Sequence, residues 1–237
     1  MIRLGLRLPG RLSFLVALAL CQFGFSSSTL AGPVLNAPAG LGVGDRFRIV
    51  FVTEGSMSSS SSSIADYDAF VTAQADGATY EGRVVRWQVI GSTSTVNAID
   101  HIGSAPISGV YLVNGTRITG STTASGLWSG SLLSSINQSL NPGTERREAV
   151  FTGTGANGLA DGALGSASVR SGSTARSDSL WVRDSLFPSS RALAFYGISE
   201  VLTVPDPSAV PEPGTFAAAL LGLAVAVPAI SRRRQKV

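Results

Sequence analysis

Groups able to do chemistry are sparse in this chain, so each can be weighed singly. His101 is the lone histidine and stands beside Asp100. An imidazole oriented by a carboxylate can act as a general base, but a hydrolase also needs a placed serine, and no G-x-S-x-G turn occurs. A surface-loop role is therefore expected for His101. Gly153-Thr154-Gly155-Ala156-Asn157-Gly158 spells the dinucleotide-binding pattern G-x-G-x-x-G. The helix that would hold a pyrophosphate is not expected after it, because two more glycines break Leu159–Gly165. Oxygen ligands for calcium could come from Asp66 and Asp68 or from Asn157 and Asp161. A helix cap with its solvated face explains the first pair, and turn formation the second. One histidine and one cysteine (Cys21) exclude zinc in practice. No cofactor is expected, calcium being the one metal the pattern admits. Glu145 and Glu148 flank Arg146-Arg147 and read as a solvated charge cluster. Trp87, Trp128 and Trp181 read as core, Trp128 least so because it lies in a loop between Gly126 and Gly130. The chain is expected not to be an enzyme.

The elements that would position these residues are mostly short strands. Arg46–Thr53 alternates Phe47, Ile49 and Phe51 with Arg46 and Arg48, the pattern of a half-buried strand. Met57–Ser63 reads as a serine-rich loop. Ser63 then caps a helix over Ile64–Ala75, with Asp66 in its first turn. Further strands are predicted at Val84–Ile90, Gly109–Val113, Thr116–Ile118, Ala149–Thr152, Leu180–Val182, Leu193–Ile198 and Val201–Val204. Asn114-Gly115 favours a type I′ hairpin turn. Gly120–Gly126 and Gly153–Arg176 read as long loops.

The two ends of the chain account for its basic composition and predict export. The net charge is +3 and the pI about 9.5. Seven of the 18 basic residues, however, lie at the ends: Arg3, Arg7, Arg11, Arg232, Arg233, Arg234 and Lys236. What remains is mildly acidic and lysine-free, which removes nucleic acid as a partner. Residues 1–31 read as a signal peptide: basic residues to Arg11, the stretch Leu12–Leu20, and small residues up to Ala31, the expected cleavage point. Leu20 before Cys21 does not suit a lipobox. At the other end, Val210-Pro211-Glu212-Pro213-Gly214 precedes an almost wholly apolar run and the Arg232-Arg233-Arg234 cluster. The 19 uncharged residues between Glu212 and Arg232 would span roughly 28 Å as a helix, enough for a bilayer core. Positive residues stay inside, so the body between them faces outward. The expected organisation is a signal peptide (1–31), an extracytoplasmic domain (33–204), a Pro-rich linker (205–215), a transmembrane helix (216–231) and a basic cytoplasmic tail (232–237). The prolines suit an extended spacer.

The order Pro-Glu-Pro, short apolar helix, Arg cluster resembles the PEP-CTERM sorting signal. That resemblance implies handling by an exosortase, a membrane-embedded enzyme cutting near Pro-Glu-Pro, after signal peptidase has acted at the inner membrane. Members are often linked to biofilm or exopolysaccharide production, which makes exopolysaccharide the macromolecular partner implied. A second set of residues resembles a bacterial surface-domain family similar in fold to C-type lectins and endostatin. It is carried by Phe51-Val52-Thr53, Ile64-Ala65-Asp66-Tyr67, Ile90-Gly91-Ser92-Thr93, Tyr111–Thr116 and Leu127-Trp128-Ser129-Gly130. Phe151-Thr152-Gly153-Thr154, Leu180-Trp181 and Tyr196-Gly197-Ile198-Ser199 complete it. It implies an α+β fold: a small mixed sheet, one or two short helices and long loops. An all-β sandwich is the alternative. The body lacks paired cysteines and the calcium-lectin motifs, so sugar binding is not implied.

The expectation is an exported surface or matrix protein with a non-enzymatic binding or structural body. A secreted polysaccharide hydrolase and an all-β adhesin are the alternatives. Changing Pro211-Glu212-Pro213 to alanines should leave export intact but impair processing, read as persistence of the longer form on a gel. Unaltered processing of that variant would refute a sorting role.

Overall fold

The computed structural model describes residues 32–141 and 144–209. Ala31, residues 210–214, the apolar run 216–231 and Arg232-Arg233-Arg234 lie outside the described residues. In chain order the strands are β1 (Val34–Leu35), β2 (Arg46–Val52), β3 (Met57–Ser58), β4 (Thr79–Tyr80), β5 (Arg83–Val84) and β6 (Trp87–Val89). They continue with β7 (Gly109–Leu112), β8 (Ala149–Phe151), β9 (Ser168–Ser173), β10 (Leu186–Pro188), β11 (Ala192–Ser199) and β12 (Leu202–Thr203). Helix α1 is Ile64–Gln74 and helix α2 is Ala98–Ile102. The architecture is a pair of mixed sheets with few short helices, mostly β.

β2 and β11 are the long strands, and both are rich in the β-branched and aromatic residues that suit a pleated surface. They pair antiparallel, Val50 opposite Ile198 and Val52 opposite Tyr196. The first and last long strands thus meet, and almost the whole body is an excursion between them. The larger sheet runs β10-β9-β8-β11-β2-β12, with β3 and β6 also on β11 and β7 on β2. β8 joins β11, and β7 joins β2, in parallel. A second sheet has the order β1-β4-β5.

Every residue of β2 after Arg46 is buried, so the strand is covered on both faces rather than half-buried. Phe47, Ile49 and Phe51 join one apolar cluster with Tyr67 and Val71 of α1. Val50 and Val52 join another on the opposite side, with Leu127, Trp181 and Tyr196. Arg48 is among the buried residues and does not face solvent. The physical cause is that loops, not water, cover the second face.

The predicted helix is present within one residue. Its N-cap, Ser63, makes no side-chain cap bond. Instead the Ser61 hydroxyl donates to Asp66 at 2.5 Å and accepts the Ser63 N–H at 3.1 Å. Within the predicted loop Met57–Ser63, β3 pairs with β11. Val84–Ile90 divides into β5 and β6. Leu180–Val182 is not a strand: Ser179–Trp181 is a 3-10 turn, held by the Asp178 carboxylate accepting the Leu180 N–H. The predicted loop Gly153–Arg176 contains β9. Its residues Ser171 and Gly172 carry no apolar signal yet are buried, because Gly172 has no Cβ to meet the Trp181 carbonyl.

The Asn114-Gly115 hairpin forms, but not through a type I′ turn. Gly115 alone has positive φ (84°), and Asn114 does not. The Gly115 N–H donates to Leu112 O at 2.9 Å and the Leu112 N–H to Thr116 O at 2.8 Å, giving a three-residue loop. The Asn114 side chain accepts the Thr116 N–H at 2.9 Å. The geometry expected there occurs elsewhere: Glu81 (φ 50°) and Gly82 (φ 72°) form the two-residue connection of β4 and β5, with Tyr80 opposite Arg83. A left-handed conformation costs a glutamate roughly 1–2 kcal/mol, less for asparagine. Glu81→Asn should therefore raise stability by about 0.5–1 kcal/mol, measured as a higher midpoint of urea unfolding; an unchanged midpoint would show no strain at Glu81.

Candidate functional site

Two places in the body gather polar and charged side chains. The first is a buried junction built on Arg48 of β2. Its Nε donates to the Ser199 carbonyl at 2.5 Å. One terminal nitrogen reaches the Ile102 carbonyl at 2.5 Å and the other Gln88 Oε1 at 2.9 Å. Gln88 passes a bond to the His101 carbonyl at 2.9 Å, and His101 Nε2 lies 3.0 Å from Asp68 Oδ1. Asp68 also accepts the Val89 N–H at 2.7 Å. Burial pushes the Arg48 guanidinium down to about 10, opposed by the charge of Glu200. It stays charged at neutral pH, held by three acceptors.

His101 is consequently not a surface-loop residue. It lies in α2, its side chain is 13% exposed, and its partner is Asp68 (25% exposed) rather than the adjacent Asp100. Asp68 is not a solvated residue either, because three elements meet at its carboxylate. Sequence spacing could not pair these two, since they are 33 positions apart.

The second place is a cleft of about 250 Å³ between the β4–β5 hairpin and β12, lined by Tyr80, Arg83, Val84, Glu200, Leu202 and Pro205 among others. Its lining is mixed, with Val84, Leu202 and Pro205 beside Glu81, Arg83 and Glu200. The Tyr80 hydroxyl donates to the Thr203 carbonyl at 3.3 Å. Glu200 on its lining is paired with Arg86, whose backbone N–H, Nε and a terminal nitrogen donate to its carboxylate at 3.1, 3.1 and 3.0 Å. Sequence reasoning assigns none of these residues to a site, reading Val84 and Arg86 as part of a strand and Pro205 as linker. Arg86 and Glu200 are 114 positions apart, and the one local signal available was Glu81-Gly82 as a turn pair.

The remaining candidates are held by structural partners. Asp161 takes Arg183 Nε at 2.7 Å and an Arg170 terminal nitrogen at 3.1 Å, one on each carboxylate oxygen. Those bonds, Arg183 first, hold its pKa below the ordinary value. Asn157 accepts the Leu159 N–H at 3.1 Å, a local turn bond. Arg146 pairs with Glu148 at 2.6 Å, and Arg147 with Glu145 at 3.7 Å. Trp87 and Trp181 are buried. Trp128 stacks on Trp181 with ring centroids 5.7 Å apart and is partly buried against the second core. Tyr196 is fully enclosed, donates its hydroxyl to the Trp181 carbonyl at 3.1 Å, and is pushed well above the usual tyrosine range by burial. Among the described residues no group of three or more His, Cys, Asp or Glu side chains converges as a metal site.

Beyond the cleft, the described linker is not wholly extended. Pro207–Ala209 is a 3-10 turn, and Asp206 accepts the Ser208 N–H and hydroxyl at 2.9 and 2.6 Å. Residues 209–235 match the PEP-CTERM protein-sorting motif. The chain therefore carries a signal for sorting by an exosortase, which implies export and membrane-associated processing. No curated protein matches the chain. No helix of the described residues is long and apolar enough to cross a membrane.

Removing Arg48 would leave two buried carbonyls and the part-buried Gln88 Oε1 without their donor, a buried acceptor costing about 1–3 kcal/mol when unsatisfied. Arg48→Met should lower stability by about 3 kcal/mol or more, read from denaturant unfolding. Arg48→Lys should lose less, since it keeps the charge but not the three-way fork.

Proposed function

We propose that this chain is a non-enzymatic component of the cell envelope or extracellular matrix. It is delivered by its signal peptide and C-terminal sorting signal. On this reading the apolar run 216–231 first holds it in the inner membrane, and processing then leaves the body at the surface or outside the cell. The body is read as lectin-like, with exopolysaccharide the macromolecular partner that its setting suggests. The mixed sheets with few short helices are compatible with that resemblance.

One observation carries the non-enzymatic reading: the groups that could do chemistry are occupied in holding the fold. Asp68 orients His101 as a general base would need, but the pair is tied into the Arg48–Gln88 network with the His101 side chain only 13% exposed. Asp161 is bonded by two arginines. Glu81 and Glu200 both border the cleft, as a glycosidase pair would have to. Both Glu200 oxygens, however, are taken by Arg86, which leaves none to protonate a leaving group. An open cleft of about 250 Å³ is also smaller than most pockets that enclose a small ligand. It suits contact with a chain or a surface instead.

Purified Pro33–Val204 should release no reducing ends from bacterial polysaccharides, and release of them would overturn the reading. The same material on a glycan array, with and without calcium, separates the two forms of the proposal. Retained glycans assign a sugar-binding body, and blank arrays a structural one.

A further inference from the structure

The cleft beside Pro205 has a setting that its lining alone does not explain. β5 is an end strand of the smaller sheet and β12 an end strand of the larger one, so the cleft lies between two sheet edges. Such edges accept an extended segment from a partner. Next to it, Val34 and Val84 are the most exposed large apolar side chains among the described residues, at 69% and 67%. They are not scattered. Val34 is in register with Thr79, and Thr79 with Val84, so both valines stand on the same outer face of β1-β4-β5. Arg83 is exposed and Glu81 stands at the hairpin tip, and neither makes an ion pair among the described residues. Apolar surface, two sheet edges and unpaired charges are therefore gathered at one end of the body.

Chain length says what comes to this end. Pro205 borders the cleft, and Pro211 of the sorting motif follows six residues later. Six residues reach at most about 20 Å. An enzyme that acts on Pro211-Glu212-Pro213 must work within that distance of the cleft. We infer that the cleft and the Val34–Val84 face are a docking surface for the exosortase, with an extended segment of the enzyme lying between β5 and β12. This rests on the sorting role of residues 209–235. The contact makes the body part of the recognised substrate, in addition to the motif.

The test uses the full chain in cells carrying the exosortase, following conversion of precursor to processed form by pulse-chase. Arg83→Glu and Val84→Asp alter exposed side chains, and thermal unfolding checks that each melts with the parent. Should Val84→Asp melt lower, Arg83→Glu carries the test alone. Each is expected to slow processing about threefold to tenfold, the size of one or two partly exposed contacts. A flexible Gly/Ser linker of about 20 residues inserted after Ser208, which leaves 209–235 intact, is expected to slow the parent similarly, by diluting the body near the enzyme. In that background the cleft substitutions should have little further effect. Processing within about twofold of the parent for both cleft variants, with Pro211-Glu212-Pro213→Ala blocked, would overturn the inference and leave the sorting role standing. Normal processing of the alanine variant would overturn both.

Discussion

A single buried cation organises the body. Arg48 sits on the central strand β2, where its guanidinium is cut off from water, and an uncompensated charge there would cost several kcal/mol. The cost is met only if acceptors converge on it from three directions. Ser199 at the end of β11, Ile102 at the end of α2 and Gln88 on β6 supply them. The Ile102 carbonyl belongs to the last turn of a helix, where carbonyls lack an intrahelical partner, so one bond satisfies two needs. Gln88 extends the arrangement to His101, and Asp68 carries it to α1. Helix, sheet and loop are thereby placed by hydrogen-bond geometry, which is directional in a way that apolar contact is not.

The rest of the packing follows from a sheet covered on both faces. α1 and the aromatic rows of β2 and β11 form one core, while coil and 3-10 segments carrying Leu127, Ile136 and Trp181 form the other. Covering a sheet with loops requires that their backbone polar groups find partners. Here hydroxyl side chains provide many of them. Thr152, for example, donates to the Val182 carbonyl at 2.7 Å, and Thr174 to the Arg146 carbonyl at 2.7 Å. The abundance of serine, threonine and glycine is thus the chemistry of an ordered, loop-covered core rather than of a disordered chain. The same demand takes up Asp68, Asp161 and His101, each of which is bonded within the fold.

Local signals were readable where one segment decided its own structure. α1 announced itself through helical spacing and β2 through alternation, while β7, β8 and β11 showed as short strand-like runs between turn residues, and the cores accept Trp87 and Trp181. β9 was not legible, because Ser168–Ser173 owes its strand to neighbours on both sides rather than to its own composition. Leu180-Trp181 looked extended and became a turn because one carboxylate, Asp178, captured a backbone N–H. Arg48 misled for a related reason: alternation says which residues share a face, but not whether water or a loop lies beyond it.

The sorting motif at 209–235 was legible in the sequence, because its residue types and their order are read along the chain. Which groups are free to act was decided by tertiary structure alone. His101 met Asp68, Arg86 met Glu200, and Val34 lined up with Val84 through strand register and long-range closure. Such meetings depend on how β2 and β11 bring distant segments together, and no spacing along the chain encodes them.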